Sequence, residues 1–344
     1  MSHTGPVLDS VTAPPSPSPS TRWRLVDTIR GFALAGILLT NVGSLTTLGY
    51  GLEAGDWRPS VGATALDLLV ESRFVPIFCF LFGLSLQLIV TSARRRGSSP
   101  WPPLLLRLGA LFGMGLLHAL VFPGDVLRIY AVGGLLILPL AILAPRVIVA
   151  VAGVVLLAAG FAVGGGMATV PGLLALGSAS ASFGLPAALE RGGPRVVRVF
   201  VVSALVGAAG AALQLLLGPE LSYGFVAESV GMVLSVAYVT GFALLWRTPV
   251  RRVLAAAFEA LGRMALTNYL SASIVIASLV ALVPGVDASE RSDPTPGLLL
   301  ALGLLVVQAV ASRLWLTRLS YGPVEWLWRT ITWRSVARLR GGAL

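Results

Sequence analysis

Lysine is missing altogether from this 344-residue chain, and all 25 basic residues are arginine. That excludes the phosphate-binding loop that ends in Lys-Ser/Thr. Cysteine occurs once, at Cys79, so no intrachain disulfide can form and cysteine usage says nothing about compartment. Histidine occurs twice, and His3 lies in a Pro/Ser-rich start, which leaves too few ligands for a transition-metal site. Charge itself is scarce: 12% of residues are charged against roughly 25% in an ordinary soluble domain, while 56% are hydrophobic. Such a chain has too little polar surface to cover itself in water.

What charge there is adds up to +10. A nucleic-acid binder gathers its basic residues on a solvated polar face, whereas here single arginines and short clusters punctuate apolar runs, which excludes that partner. The opening residues include "TAPPSPSPS", the composition of a flexible tail. No short apolar core with a small-residue cleavage site follows a basic start, so the first span is read as an uncleaved anchor. The expected plan is a tail over residues 1–21, one membrane domain over 22–330 and a basic tail over 331–344.

A helix needs about 20 apolar residues to cross a bilayer core. Eight stretches meet that need: 26–48, 74–91, 104–122, 126–143, 147–163, 196–217, 225–246 and 297–316. A ninth, 264–283, begins with a polar turn. The segment 172–189, rich in Gly, Ala and Ser, is open to two readings, a loop or a closely packed span. Arginine placement decides between them. Basic clusters mark cytoplasmic loops, and they alternate with acidic connections along the chain: Arg94 to Arg96 and Arg146 against Glu71 and Asp125, for example. The alternation holds through Arg191, Arg195 and Arg198 only if 172–189 also crosses. The expected fold is therefore all-α, a polytopic bundle of about ten transmembrane helices in the cell membrane, with both termini cytoplasmic and no internal repeat.

Ionisable groups inside spans are costly and therefore informative. Asp27 and Arg30 stand one turn apart on the first span and can pair. Asn41 lies fourteen residues further on, about 21 Å deeper at 1.5 Å per residue. His118 is fourteen residues into its own span, at a matching depth, and the hairpin that turns at Pro123 and Gly124 brings Asp125 and Arg128 back to the same level. Glu71 and Arg73 enter there from the second span. Four helices thus contribute polar groups to one expected layer. At the other end, Arg30, Arg94 to Arg96, Arg263, Asn268, Trp326, Trp328 and Arg329 form a second group.

Taken in order, Asp27 to Gly31 ending in Asn41, "FVPIFCFLFGL", "GLLHAL" with "GDVLRIYA", "LGRMALTNYL" and "GPVEWLWR" resemble the YeiB-like (DUF418) family, from Asp27 to Arg329. That family is similar to membrane acetyltransferases of the heparan-α-glucosaminide N-acetyltransferase type, and more distantly to bacterial acyltransferases of surface sugars. The resemblance implies transfer of an acyl group from a cytoplasmic thioester, acetyl-CoA or similar, to a glycan or lipid-linked acceptor at or beyond the membrane. No permanently bound cofactor is implied. The acetyltransferase pattern ends its first span on Asn, which Asn41 matches, and places a His before the second span. The loop 49–72 contains no histidine, which leaves His118 as the candidate in its place.

Acyl transfer needs a base for the acceptor and donors for the oxyanion. His118, oriented by Asp125, suits the first role, and Asn41 or Arg128 the second. Glu71, Arg73 and Arg128 are the candidate acceptor contacts. Arg30, Arg263 and Asn268 are the candidate contacts to coenzyme A, since guanidinium groups match phosphate bidentately. Two plainer readings stand beside these. His118 could be a hydrogen-bonding residue between helices, and the arginines could serve topology while an amphipathic tail lies on anionic lipid. A transporter or flippase would need buried ionisable groups as well. Self-association of the chain in the bilayer is a further expectation.

Overall fold

The computed structural model describes residues 23–46, 61–217, 224–283 and 295–333, and the described residues contain helices and no strand. The helices are α1 (Arg24–Thr46), α2 (Val61–Leu69), α3 (Phe74–Arg95), α4 (Trp101–His118), α5 (Leu127–Leu143) and α6 (Arg146–Ala162). They continue as α7 (Val170–Ser182), α8 (Leu185–Arg191), α9 (Pro194–Leu217), α10 (Phe225–Leu245) and α11 (Arg251–Leu254), then α12 (Ala260–Arg263), α13 (Ala265–Leu282), α14 (Thr295–Arg318) and α15 (Pro323–Trp333). Proline marks the starts. It stands at the first turn or just ahead of it in α4, α6, α7, α8, α9, α14 and α15, where its missing N–H leaves no bond unmade.

Among the described residues, six helices are long and apolar enough to cross a membrane: α1, the run from Thr64 to Arg95 that contains α3, α9, α10, α13 and α14. The segment expected over 172–189 is helical rather than a loop, but it is not straight. It runs from Gly166 through α7, breaks at Phe183 and Gly184, and continues as α8 at an angle of 70°, giving a seventh crossing if the pair is one span. The apolar helices α5 and α6 have 17 residues each. α4 has 18 and carries Arg107 and His118. Leu and Val side chains on α5, α6, α9 and α14 stand outward, including Leu136, Val155, Leu205 and Val306, each more than half exposed. So much bare aliphatic surface in one molecule marks contact with lipid rather than water. The tails 1–22 and 334–344 lie outside the described residues, as do residues 47–60 before the second span.

α1 runs through the middle of the bundle. It packs on α3, α13, α14, α12 and the turn before it, and buries Leu25, Ile29, Ala33 and Leu34. α3 and α7 cross so closely that a Cβ on Gly177 would overlap the Phe80 carbonyl. That contact accounts for the small residues of α7: they allow backbones to approach in lipid.

Candidate functional site

Two glycines set the first part of the site. A Cβ on Gly31 would overlap the carbonyl of Phe258, and one on Gly262 would overlap that of Asp27, so α1 and α12 touch backbone to backbone. Their sequence neighbours, Arg30 and Arg263, consequently line one cavity of about 480 Å³. One π-helical turn, Ala255–Glu259, precedes α12. It fixes the rotation of the short helix, and Glu259 is held to Arg24 at 2.8 Å. π-turns of this kind recur at functional sites.

Four guanidinium groups reach the cavity, from Arg30, Arg107, Arg263 and Arg329, against two carboxylates, Asp27 and Glu325. Arg30 donates to Asp27 Oδ1 and to Ser85 Oγ, both at 3.0 Å. Arg263 donates to the Ser320 carbonyl at 3.3 Å. Arg107 lies 3.4 Å from the ring centre of Trp328, whose Nε1 donates to the Arg107 carbonyl at 2.8 Å. Trp328 in turn stacks parallel to Phe82 at 6.5 Å, and Arg329 covers Tyr321 at 4.5 Å. Glu325 caps α13, accepting from the backbone N–H of Leu266 at 2.7 Å and of Thr267 at 3.0 Å, and from the Thr267 hydroxyl. A carboxylate at a helix N-terminus satisfies unpaired donors and the dipole together. With both acids occupied, the cavity keeps a surplus of positive charge. Its volume falls in the range of small-molecule sites, about 300–1,000 Å³.

Leu111, Leu127, Tyr130 and Leu266 also line this cavity. Two turns after Leu111 on α4 lies a buried pair: His118 Nδ1 stands 2.8 Å from Asp125 Oδ1, with side-chain exposures of 2% and 0%. An ionised carboxylate only accepts, so pairing with it orients Nδ1 as the donor of the imidazole. Nε2 is buried and has no hydrogen-bond partner among the described residues. Tyr269 lies against the imidazole with ring centres 5.0 Å apart. The second oxygen of Asp125 accepts from the Arg128 backbone N–H at 3.2 Å and faces Arg128 Nε at 3.6 Å. Gly115 makes room for this. A Cβ there would stand 2.8 Å from both Asp125 Oδ2 and Arg128 Cγ.

The remaining expected site residues do not join this pair. Asn41 lines a cavity of only about 10 Å³ with Asn268, Tyr269 and Gln308. Asn268 is buried and donates to Ser312 Oγ at 3.0 Å, so it holds α13 to α14 and is absent from the arginine cavity. Glu71 lines a third cavity, about 230 Å³, with Thr40, Ser72 and Glu228. Arg73, 1% exposed, donates to the Glu71 carbonyl, while its own carbonyl accepts from Ser235 Oγ. Arg94 bonds the Ile142 carbonyl and Arg96 stacks over Trp333, both away from the cavity. The expected single outer layer is therefore divided among separate places. Depth along a helix follows from residue count, but the direction in which a side chain points around the axis depends on the neighbours.

Arg107, Tyr130 and Tyr269 carry more of the site than their sequence context suggested. Arg107 falls within α4, six residues after Trp101 and inside the expected span 104–122. An arginine inside an apolar helix was the available signal.

The family described as "Protein of unknown function (DUF418)" matches residues 180–335. The chain is 30% identical over 328 residues to the "Uncharacterized 39.9 kDa protein in amylase 3'region" of Bacillus acidopullulyticus, covering 90% of this chain and 93% of that one. It is 25% identical to the uncharacterized protein YxaH of Bacillus subtilis, covering 91% and 96% of the two chains. To the uncharacterized protein YeiB of Escherichia coli it is 26% identical, covering 90% and 96%. No solved structure matches.

Proposed function

The chain belongs to the YeiB-like DUF418 family of membrane proteins, and on that premise we propose that it is an acyltransferase that takes an acyl group from a coenzyme A thioester and passes it to an acceptor at the membrane. One observation carries the reading: an arginine-lined cavity of about 480 Å³ is bordered by α4 and α5, the same two helices whose connection holds a buried His118–Asp125 pair. The arginines would hold the phosphates of the donor, and Phe82, Tyr321 and Trp328 offer faces for its adenine. His118 Nε2 would take the proton of the acceptor hydroxyl or amine as its oxygen or nitrogen bonds to the acyl carbon. The carbon–sulfur bond breaks, and the leaving thiolate recovers that proton from the imidazolium. Asp125 would keep the proton on Nδ1 and stabilise the charged ring.

His118 is buried and is not among the residues that line the cavity, so side chains have to part for the thioester to reach it. That separation also favours a second reading, in which the bundle moves a substrate without chemistry and the pair relays a proton. Full-length protein with labelled acetyl-CoA and membrane extract separates the two. His118→Ala and His118→Gln should lower transfer by about 100-fold or more with little change in stability in detergent. Folded variants with wild-type turnover would end the acyl-transfer reading.

The topology proposed with this function is ten crossings with both termini and the arginine cavity on the cytoplasmic side, the shorter α4, α5 and α6 and the bent α7–α8 pair included. Cysteines introduced next to Arg191 should react only from the cytoplasmic side. Labelling from outside would remove the α7–α8 crossing.

A further inference from the structure

Arg128 belongs to two places at once. Its Nε edge faces Asp125, while its remaining nitrogens have no hydrogen-bond partner among the described residues and the side chain is 36% exposed. On the outside of the bundle it borders an apolar groove of about 510 Å³ between α4, α5 and the start of α7. Phe112 and Leu116 form one wall, Val132 and Leu136 the floor, and Met167 and Pro171 the other wall. Leu116, Val132 and Leu136 are 49%, 56% and 63% exposed, so the groove opens sideways towards lipid. Among the described residues Arg128 is the single charged one lining it, at the end nearest the α4–α5 turn. Leu136 lies eight residues along α5, about 12 Å from it at 1.5 Å per residue.

A cation at one end of a lipid-facing apolar trough has the shape of one ligand class, a phosphate joined to a long apolar chain. We propose that the groove holds a membrane lipid with its phosphate on Arg128 and its chain along Val132 and Leu136. An arginine that merely snorkels extends freely to the headgroups. This one is tethered by Asp125, and its position is set by the contact at Gly115. The phosphate would take the free edge of the guanidinium bidentately. Under the acyl-transfer reading, on which this last step rests, the lipid carries the acceptor, because Asp125 joins Arg128 directly to His118. The groove then delivers an acceptor from the bilayer while the donor enters through the arginine cavity.

The test is native mass spectrometry of the detergent-purified full chain titrated with phosphatidylglycerol. Wild type and Arg198→Gln, which changes an arginine of α9 far along the chain, should retain the lipid alike. Arg128→Gln should weaken retention about tenfold or more, the loss expected for a charged hydrogen bond. Val132→Trp, at an exposed position that tolerates bulk, should displace the chain from the groove. Diacylglycerol, which lacks the phosphate, and glycerol 3-phosphate, which lacks the chain, should each bind far more weakly. Retention unchanged in both Arg128→Gln and Val132→Trp would mean ordinary surrounding lipid and overturn the proposal. Tight binding of glycerol 3-phosphate alone would do so too, since it would make Arg128 a simple anion site. Lipid retention needs no acyl donor, so its failure is distinct from failure of the acyl-transfer reading. A chain that transfers acetyl groups yet retains no lipid contradicts this inference alone.

Discussion

Arg30 and Thr40 stand on the same helix, ten residues and about 15 Å apart, and each lines a cavity of its own. Around Arg30 four guanidinium groups outnumber two carboxylates, and both carboxylates are already occupied. Around Thr40 the charges are acids, Glu71 and Glu228, in about half the volume. Their setting is self-sufficient. Glu228 accepts from the backbone N–H of Gly166 and sits in the first turn of α10, where a negative charge is favoured. Arg73 donates to the backbone carbonyl of Glu71 beside it. The presence of ionisable residues does not by itself mark a ligand site in a membrane bundle; an excess of one sign left over after local pairing does.

The contrast breaks most severely at Gly262. Gly262→Val places a side chain against the Asp27 carbonyl, which has no flexible end to give way. The expected cost is about 3 kcal/mol or more, seen as loss of monodisperse protein and of thermal stability in detergent. A variant that folds normally and binds coenzyme A would show that the α1–α12 contact is not what builds the cavity. Next in size, Arg30→Ala and Arg263→Ala should each weaken coenzyme A binding about tenfold in equilibrium titration. Glu228→Gln should leave that binding alone, with a loss of about 1 kcal/mol in stability for the weakened bond to Gly166. Arg338→Ala, in the C-terminal tail, should change neither quantity. If it weakens coenzyme A binding as much as Arg263→Ala, the attraction is general and the surplus charge in the cavity has no special standing.

Much of this arrangement can be read along the chain. The seven-residue interval from His118 to Asp125 across a Pro-Gly turn permits a contact between two antiparallel helices without requiring it, and the pair stands at 2.8 Å. Arg30 and Arg263 each adjoin a glycine within a motif, and they share a cavity for the reason those glycines are there. Rotation about the helix axis is not legible in the same way. Asn268 is one helical turn past Met264, close in sequence to Arg263, yet its side chain turns to Ser312. Asn41 and His118 are expected at one depth, yet Asn41 lines a small cavity while His118 is buried against Tyr269, which borders that cavity. Crossing number is only partly legible, because α4, α5 and α6 are short and α7 bends into α8. Residue count measures length; it does not show which way a segment turns.

The walls of the arginine cavity come from Asp27 near the start of the described chain and Arg329 near its end, 302 residues apart. Contacts so distant in sequence are the costliest in loop entropy and the slowest to form. Because a chain leaves the ribosome from its N-terminus, α1 spends most of synthesis without the residues that complete its basic face. Only when α15 arrives, with Glu325 engaging the first turn of α13, does the pocket acquire its last side. The cavity is therefore closed in a single late event, and a nascent chain halted before Pro323 would already sit in the bilayer with one side of its arginine cavity still open.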